Sequence, residues 1–242
     1  MSDTLRSTII QFLALARTHR RNILWLIGST AVMIIMQLAL SIGLTHLISP
    51  EHYGAYRWLI SAYGLALIAF LPGMEFLFVR EVARGSTPGG ILARAMLPAA
   101  AITGIGFVLI VPAVLPTISA SPWLWTALFL FPLLVILKLP DILAYGRSQF
   151  QRLAWIRIAS AVVPVIVTLL IARETPRPDA LFAATLFGTA AAAALFFRRV
   201  HWPTHWSRPS PATWRAGFVH TFLRGLFTVR QHLSQLIVGA LL

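Results

Sequence analysis

The chain has 242 residues, 58% of them hydrophobic and 11% charged, and a formal net charge of +13. Repeated apolar blocks separated by short gaps are not typical of a soluble domain, so the composition predicts an all-α, polytopic membrane helix bundle. The lack of cysteine in the sequence excludes disulfides, thiolate metal sites and cysteine catalysis.

We interpret residues 1–22 as a cytoplasmic N-terminal segment. Leu5, Ile9 and Phe12 recur at helical spacing, which indicates a short amphipathic helix on the inner face of the membrane. A disordered or loosely helical tail is the alternative interpretation.

Residues 23–198 are predicted to form a bundle of six complete transmembrane helices. Each block is long enough to cross a hydrocarbon core about 30 Å thick. The blocks are Ile23–Ile48, Gly54–Val79, Ile91–Ile118, Trp123–Ala144, Ala154–Ala172 and Asp179–Phe197. A cytoplasmic linker is predicted at 199–217. The segment 218–242 starts a seventh helix, which we expect to open a truncated second bundle.

Arginine is concentrated in every second gap between the blocks. Fourteen arginines precede the first block or follow the second, fourth and sixth, and Arg157 is counted among them. The alternate gaps hold Arg57, Arg173 and Arg177. The positive-inside rule therefore predicts that the N-terminus lies in the cytoplasm. Cations sorted by membrane side do not indicate nucleic-acid binding, although contact with anionic lipids is expected.

Polar groups inside the spans are the first candidates for function, because they are costly at membrane depth. In the first block one helical face carries four of them, Thr30, Gln37, Ser41 and Thr45. This face is expected to line protein or water, and hydrogen bonding between helices is the structural alternative.

The second block carries Arg57 near its outer end and Glu75 near its inner end. An unbroken helix would place them about 27 Å apart, so they cannot pair with each other. A kink is expected at Pro72 and Gly73. Arg57 is a cavity candidate or an interfacial arginine, and Glu75 is a cavity candidate or a partner of Arg80.

The fourth block contains Lys138 and Asp141, three residues apart on either side of Pro140. Such a pair can neutralise itself, which lowers the cost of placing either charge in a membrane. We take both as cavity candidates, and a purely structural kink at Pro140 is the alternative.

The sixth block has a different character from the fourth. Ala184, Gly188 and Ala192 form a ridge of small residues at helical spacing, which predicts close packing against another helix.

The seventh block carries a polar stripe of Arg224, Thr228, Gln231 and Gln235, with Arg230 about 80° away at 100° per residue. This stripe is expected to border an aqueous cavity, since two arginines are poorly tolerated against lipid. If the helix starts near Val229 instead, Arg224 lies among the headgroups.

Three short motifs lie at connections between blocks. They are LISPEHYGAY at 47–56, Pro72-Gly73-Met74 followed by Arg80-Glu81-Val82-Ala83-Arg84, and Tyr145-Gly146-Arg147 with Phe150. The first resembles the L-x-P-E-x-Y-G-x-Y signature of Wzx-type polysaccharide flippases, and the other two are similar to later motifs of that family. The order and spacing of the blocks add to the resemblance.

The resemblance implies an exporter of the multidrug/oligosaccharidyl-lipid/polysaccharide superfamily in a bacterial cytoplasmic membrane. Such a protein has two six-helix bundles around a cationic cavity and moves an undecaprenyl-diphosphate-linked oligosaccharide by alternating access. Arg57, Lys138, Arg224 and Arg230 are the residues expected to supply that positive charge. No cofactor is implied, and the missing half would come from a C-terminal bundle or from a homodimer.

Other function classes stay open at this point. A multidrug or metabolite exporter of the related branch would need membrane carboxylates, for which Glu75 and Asp141 are available. A half-bundle could also serve only as an assembly partner. A membrane enzyme is least favoured, because the seven histidines are dispersed without metal-ligand spacing.

Overall fold

The computed structural model describes residues 3–70, 72–84 and 138–197, together with the isolated positions Ala101, Ile105, Leu109, Pro122, Trp123 and Val219. The helices in these ranges are α1 (Asp3–Leu47), α2 (Pro50–Phe70), α3 (Pro72–Ala83), α4 (Leu139–Gly146), α5 (Phe150–Glu174) and α6 (Pro178–Phe197). These ranges contain no strand, which confirms the all-α class.

In the described ranges, three helices are long and apolar enough to cross a membrane: Arg20–Leu47 within α1, Phe150–Glu174 and Pro178–Phe196. They coincide with the first, fifth and sixth predicted blocks. The third block, the fourth block ahead of Lys138, the linker at 199–217 and the seventh block lie outside the described residues, apart from the isolated positions. The count of six complete spans stays a prediction.

The first helix extends far beyond the first apolar block. It begins at Asp3 and continues without interruption to Leu47. Residues 3–22 are therefore helical and continuous with the span that follows.

The second block contributes two described stretches of helix, Pro50–Phe70 (α2) and Pro72–Ala83 (α3). Leu71 between them lies outside the described residues, so the kink expected at Pro72 and Gly73 stays a prediction.

The directions of the long helices follow from contacts between them. Arg21 Nη2 donates to Gln151 Oε1 at 3.3 Å, and the rings of Trp25 and Trp155 are 6.1 Å apart. The part of α1 that begins at Arg20 therefore runs parallel to α5, with both starting at the same end. α6 returns antiparallel to α5 after a short connection. We call the end that carries Arg20, Arg21, Arg147 and Arg152 the basic end, and the opposite end the far end.

Among the described residues, an apolar core lies near each end of the bundle. The far-end core consists of Leu44, Ile48, Tyr56, Trp58, Leu59, Ala172, Leu181, Phe182 and Leu186. The smaller basic-end core consists of Ala144, Leu153 and Ile156, with Leu26, Phe150 and Phe196 packed against it. Side chains between these cores are the ones that can enclose a polar space.

Close packing of α5 on α6 depends on a glycine. A Cβ atom at Gly188 would lie 2.5 Å from Pro164 Cα. Ala184 and Ala192, one turn to either side, are buried as well. The ridge of small residues therefore has the packing role that its spacing predicts.

A hydroxyl network joins α2, α5 and α6 beside the far-end core. Thr185 Oγ1 donates to the Leu181 carbonyl at 2.9 Å, which uses its one proton. It also lies 3.1 Å from the Tyr56 hydroxyl and 2.9 Å from Thr168 Oγ1. Tyr56 and Thr168 must therefore donate to Thr185, and the buried node is fully satisfied.

Removing the node should destabilise the bundle more than removing an exposed threonine hydroxyl. We expect Thr185→Val to lower the free energy of unfolding by about 1–2 kcal/mol, because two buried donors lose their acceptor. Thr45→Val is the control, since the exposed Thr45 bonds only within α1 among the described residues. Reversible denaturation in detergent measures both variants, and equal losses would contradict a structural role for the network.

The turn between α4 and α5 is built as a Schellman motif. Ser148 donates to Tyr145 O at 3.0 Å and Gln149 donates to Ala144 O at 2.8 Å, with Ser148 at a φ of 56°. This hydrogen-bond pair terminates α4 by satisfying its last carbonyls. Phe150 then begins α5 and packs edge-on against Tyr145, with ring centroids 6.4 Å apart.

Candidate functional site

A polar cavity of about 450 Å³ lies inside the bundle, between the basic-end core and the far-end core. Among the described residues, three charged side chains line it: Lys138, Asp141 and Arg157. Lys138 immediately precedes α4, Asp141 occupies the first turn of α4, and Arg157 lies two turns into α5. The described lining therefore carries two positive charges and one negative charge.

Hydroxyl groups from four helices complete the polar lining. They are Thr30 from α1, Tyr63 from α2, Ser160 from α5 and Thr189 from α6. Thr30 donates to Leu26 O at 2.9 Å and Thr189 donates to Thr185 O at 2.8 Å. Their hydroxyl protons are thus used within their own helices, which leaves oxygen lone pairs toward other donors.

A proline adds a backbone acceptor beside the cavity. Pro164 lies inside α5 and has no N–H to donate to the carbonyl of Ser160, one turn earlier. Transport proteins use backbone groups that a proline frees in this way to line cavities. Ser160 itself is a lining residue.

Asp141 and Arg157 face each other across the α4–α5 contact. Arg157 Nε lies 3.8 Å from Asp141 Oδ1, and about a third of each side chain is exposed. This distance is within ion-pair range but too long for a hydrogen bond. Among the described residues this ion pair is the polar contact of Arg157, so most guanidinium donors stay available to another anion.

The position of Arg157 along α5 sets the depth of the cavity. Arg157 follows the start of α5 at Phe150 by seven residues, which is about 10 Å along the helix axis. If α5 spans a membrane, this position lies within the half nearest the basic end. Helix α4 packs against this segment of α5 and supplies the balancing carboxylate.

The sequence named Lys138 and Asp141 as cavity candidates, but it did not single out Arg157. Lys138 and Asp141 share the cavity, whereas Arg157 was counted with the inner connection. The signal was present, because Arg157 lies three residues inside the apolar block Ala154–Ala172. A cation at that depth needs a partner, and Asp141 is the one that the fold supplies.

The other predicted site residues lie elsewhere or outside the described residues. Arg57 is half-buried on α2 near the far end, about 9 Å along the helix from Tyr63. Gln37 is exposed on α1, two turns beyond Thr30. Glu75 belongs to α3, but its side chain lies outside the described residues, as do Arg224, Arg230, Gln231 and Gln235.

Arg80 contacts Glu81 in the structure, and its pairing with Glu75 stays a prediction because the side chain of Glu75 lies outside the described residues. Arg80 Nη2 lies 3.6 Å from Glu81 Oε1 and Arg84 Nη1 lies 3.5 Å from the same oxygen. Both arginines are at the end of α3 that packs on α4 near the basic end. The charged part of the second motif thus forms a small ion-pair cluster.

The remaining motif residues have clear structural roles. Ser49 caps α2, since its Oγ lies 3.4 Å from the His52 amide N, and Tyr56 belongs to the hydroxyl network. A Cβ at Gly146 would lie 2.8 Å from Val82 Cγ1 and 3.1 Å from the Val79 carbonyl oxygen. Glycine is therefore required where α4 crosses α3.

The described part of the chain is an all-helical bundle with three helices able to cross a membrane. The chain matches no protein-family model, no curated protein and no solved structure. A function must therefore be inferred from the chemistry of the cavity and from the sequence motifs.

Proposed function

We propose that this chain forms part of a membrane transporter that moves a lipid-linked, diphosphate-bearing oligosaccharide across the cytoplasmic membrane by alternating access. The polar cavity is the observation that carries the proposal. It combines two cations, one carboxylate and hydroxyls from four helices inside a bundle of apolar helices. The sequence motifs that resemble Wzx-type flippases support the same conclusion.

The charge balance of the cavity favours an anionic ligand. Among the described lining residues, Lys138 and Arg157 together outnumber Asp141 by one positive charge, and a net charge at membrane depth is costly without a counter-ion. A bound phosphate would act as the counter-ion and offset the cost of the net positive charge. A guanidinium can bind a phosphate through two parallel hydrogen bonds. Lys138 contributes a second, flexible charge at the edge of the site.

The size of the cavity is suited to the diphosphate part of the proposed substrate. A volume of about 450 Å³ is typical of a small-molecule site, large enough for a diphosphate but not for an attached oligosaccharide. In this proposal the sugars occupy space enclosed with a second bundle or a second copy. The stripe of Arg224, Arg230, Gln231 and Gln235 would contribute to that wall.

The cavity disfavours the related drug-exporter function. A cationic drug would meet a site that is already positively charged, and the carboxylate that could attract it is engaged with Arg157 at 3.8 Å. An anionic substrate explains the same residues without these conflicts.

The proposed orientation places the basic end in the cytoplasm. Among the described residues, Arg20, Arg21, Arg84, Arg147 and Arg152 lie at that end, as the positive-inside rule requires. The cavity then lies in the half of the membrane nearest the cytoplasm, where a lipid-linked intermediate is assembled before export.

Deletion of the gene in its native host tests the proposal. We expect lipid-linked repeat units to accumulate and surface glycan to fall, and expression of the intact gene should reverse both changes. Mass spectrometry of extracted lipids and immunoblotting of surface glycan give the two readouts. Unchanged glycan with no accumulation of intermediates would contradict the proposed substrate.

A further inference from the structure

A second groove lies on the outside of the bundle, between α1 and α5. It starts at the basic end with Arg20 and Arg21 and continues along α1 past Leu24, Gly28 and Val32, with Ile158 contributed by α5. Its volume is about 770 Å³. One end is therefore cationic, and the rest is lined mainly by apolar side chains.

The floor of the groove is shaped by Gly28. A Cβ atom built at this position would meet nothing within 4 Å, so the missing side chain leaves open space. Ser29 next to it is 1% exposed and donates its hydroxyl to Leu26 O at 3.0 Å. Because the Ser29 hydroxyl already has a hydrogen-bond acceptor, an apolar group can occupy the groove at this depth.

The cationic end is held in place by neighbouring polar residues. Arg21 donates to Gln151 on α5, and Arg152 Nη1 donates to Gln149 Oε1 at 3.4 Å. Trp25 lines the groove and contacts Trp155 with ring centroids 6.1 Å apart. A tryptophan pair beside arginines is typical of the membrane–water interface. None of the described residues that line the groove is acidic.

The length of the groove matches one leaflet. Arg20 and Val32 are twelve residues apart on one helix, which corresponds to about 18 Å, and half of a hydrocarbon core is about 15 Å. Only 6% of the residues in the apolar window of α1 are buried inside the bundle. The groove therefore opens on a surface that can face lipid. A lipid phosphate would lie at the cationic end of the groove, and an acyl chain would lie along its apolar part.

We infer that this groove binds an anionic glycerophospholipid of the adjoining leaflet, with its phosphate at Arg20 and Arg21 and one acyl chain beside Gly28. The lipid is a bound component of the bundle and not the transported substrate. Its site is separate from the polar cavity, because Arg157 and its partners line a different space. The inference therefore does not depend on the proposed transport function.

Native mass spectrometry of the full chain, released from nanodiscs, tests the site. Nanodiscs of phosphatidylcholine with a minor share of palmitoyl-oleoyl phosphatidylglycerol provide the probe. We expect phosphatidylglycerol to remain bound in preference to phosphatidylcholine. Combining Arg20→Gln with Arg21→Gln should lower its retention by about tenfold or more, because each arginine near an anionic surface contributes about one kcal/mol.

Gly28→Leu tests the acyl groove separately from the charge. Leucine would fill the space without a clash against protein atoms, so the variant should fold and lose phosphatidylglycerol by a similar factor. Ala31→Leu is the matched control, since Ala31 is exposed on α1 and does not line the groove. Arg173→Gln, at the far end of α5, is the control for charge.

Four results would overturn the inference. Retention that is unaffected by Gly28→Leu would show that only the headgroup is attracted, and equal retention of phosphatidylcholine would show that the arginines do not select. Competition by soluble glycerol phosphate as strong as that by the lipid would show that the acyl chain is not bound. A dimer that Gly28→Leu dissociates would assign the groove to a second copy of the chain.

Discussion

Replacing Gly188 with alanine should lower the free energy of unfolding by about 2–3 kcal/mol, although alanine is the better helix former. The new Cβ atom would lie 2.5 Å from Pro164 Cα and 3.0 Å from Pro164 N. Both contacts are with backbone atoms, which cannot move aside by changing a rotamer. α5 and α6 would have to separate along their shared face, with loss of packing at Ala184 and Ala192.

Two other glycines of the bundle provide matched controls for this prediction. At Gly43 a Cβ would meet Leu169 Cδ2 at 2.7 Å, and Gly28 has open space. The leucine methyl is the end of a flexible side chain, so Gly43→Ala should be close to neutral. Gly28→Ala should stabilise the protein by about 0.5–1 kcal/mol, since only the backbone entropy of glycine is removed.

The decisive result is the ranking of the three variants by their free energy of unfolding. Reversible denaturation of the purified proteins in one detergent gives the three free energies under matched conditions. Equal effects at Gly28 and Gly188 would mean that helix propensity dominates and that α5 and α6 are not closely packed at Pro164.

The parts of the fold that could be predicted from sequence are those that depend on local composition. Three apolar blocks became helices of spanning length because a continuous apolar segment has few other low-energy states in lipid. The ridge at Gly188 was readable for a similar reason, as small residues at that spacing permit close contact.

The cavity could be predicted only in part, because it depends on contacts between distant segments. Lys138 and Asp141 were chosen as cavity candidates from their spacing, and their two charges were expected to neutralise each other. The structure instead places Arg157 opposite Asp141, across a sequence separation that no local pattern reports. Arg57 was chosen for its charge alone, and its place near the far end followed from the direction of α2. The motif at 47–56 indicated function, but Ser49 and Tyr56 act there as a cap and a packing residue.

Replacing Arg157 with glutamine should reduce transport by about tenfold or more, because a charge-assisted hydrogen bond to phosphate contributes about 1.5–3 kcal/mol. The assay is accumulation of lipid-linked repeat units in the deletion host that expresses each variant. Arg173→Gln is the control, since Arg173 is an exposed arginine in the last turn of the same helix. Arg157→Lys should retain part of the activity, because it keeps the charge but loses the bidentate geometry.

A double variant separates a substrate-binding role for Arg157 from a purely structural one. Arg157→Gln alone removes the cation that faces the Asp141 carboxylate, so part of its effect comes from a weaker balance of the negative charge on Asp141. Adding Asp141→Asn removes that charge and should restore stability toward the normal level. If Arg157 binds the phosphate, transport stays low in the double variant although the protein is folded. If the ion pair only holds α4 against α5, transport returns together with stability, and the cationic site would have to be sought elsewhere in the chain.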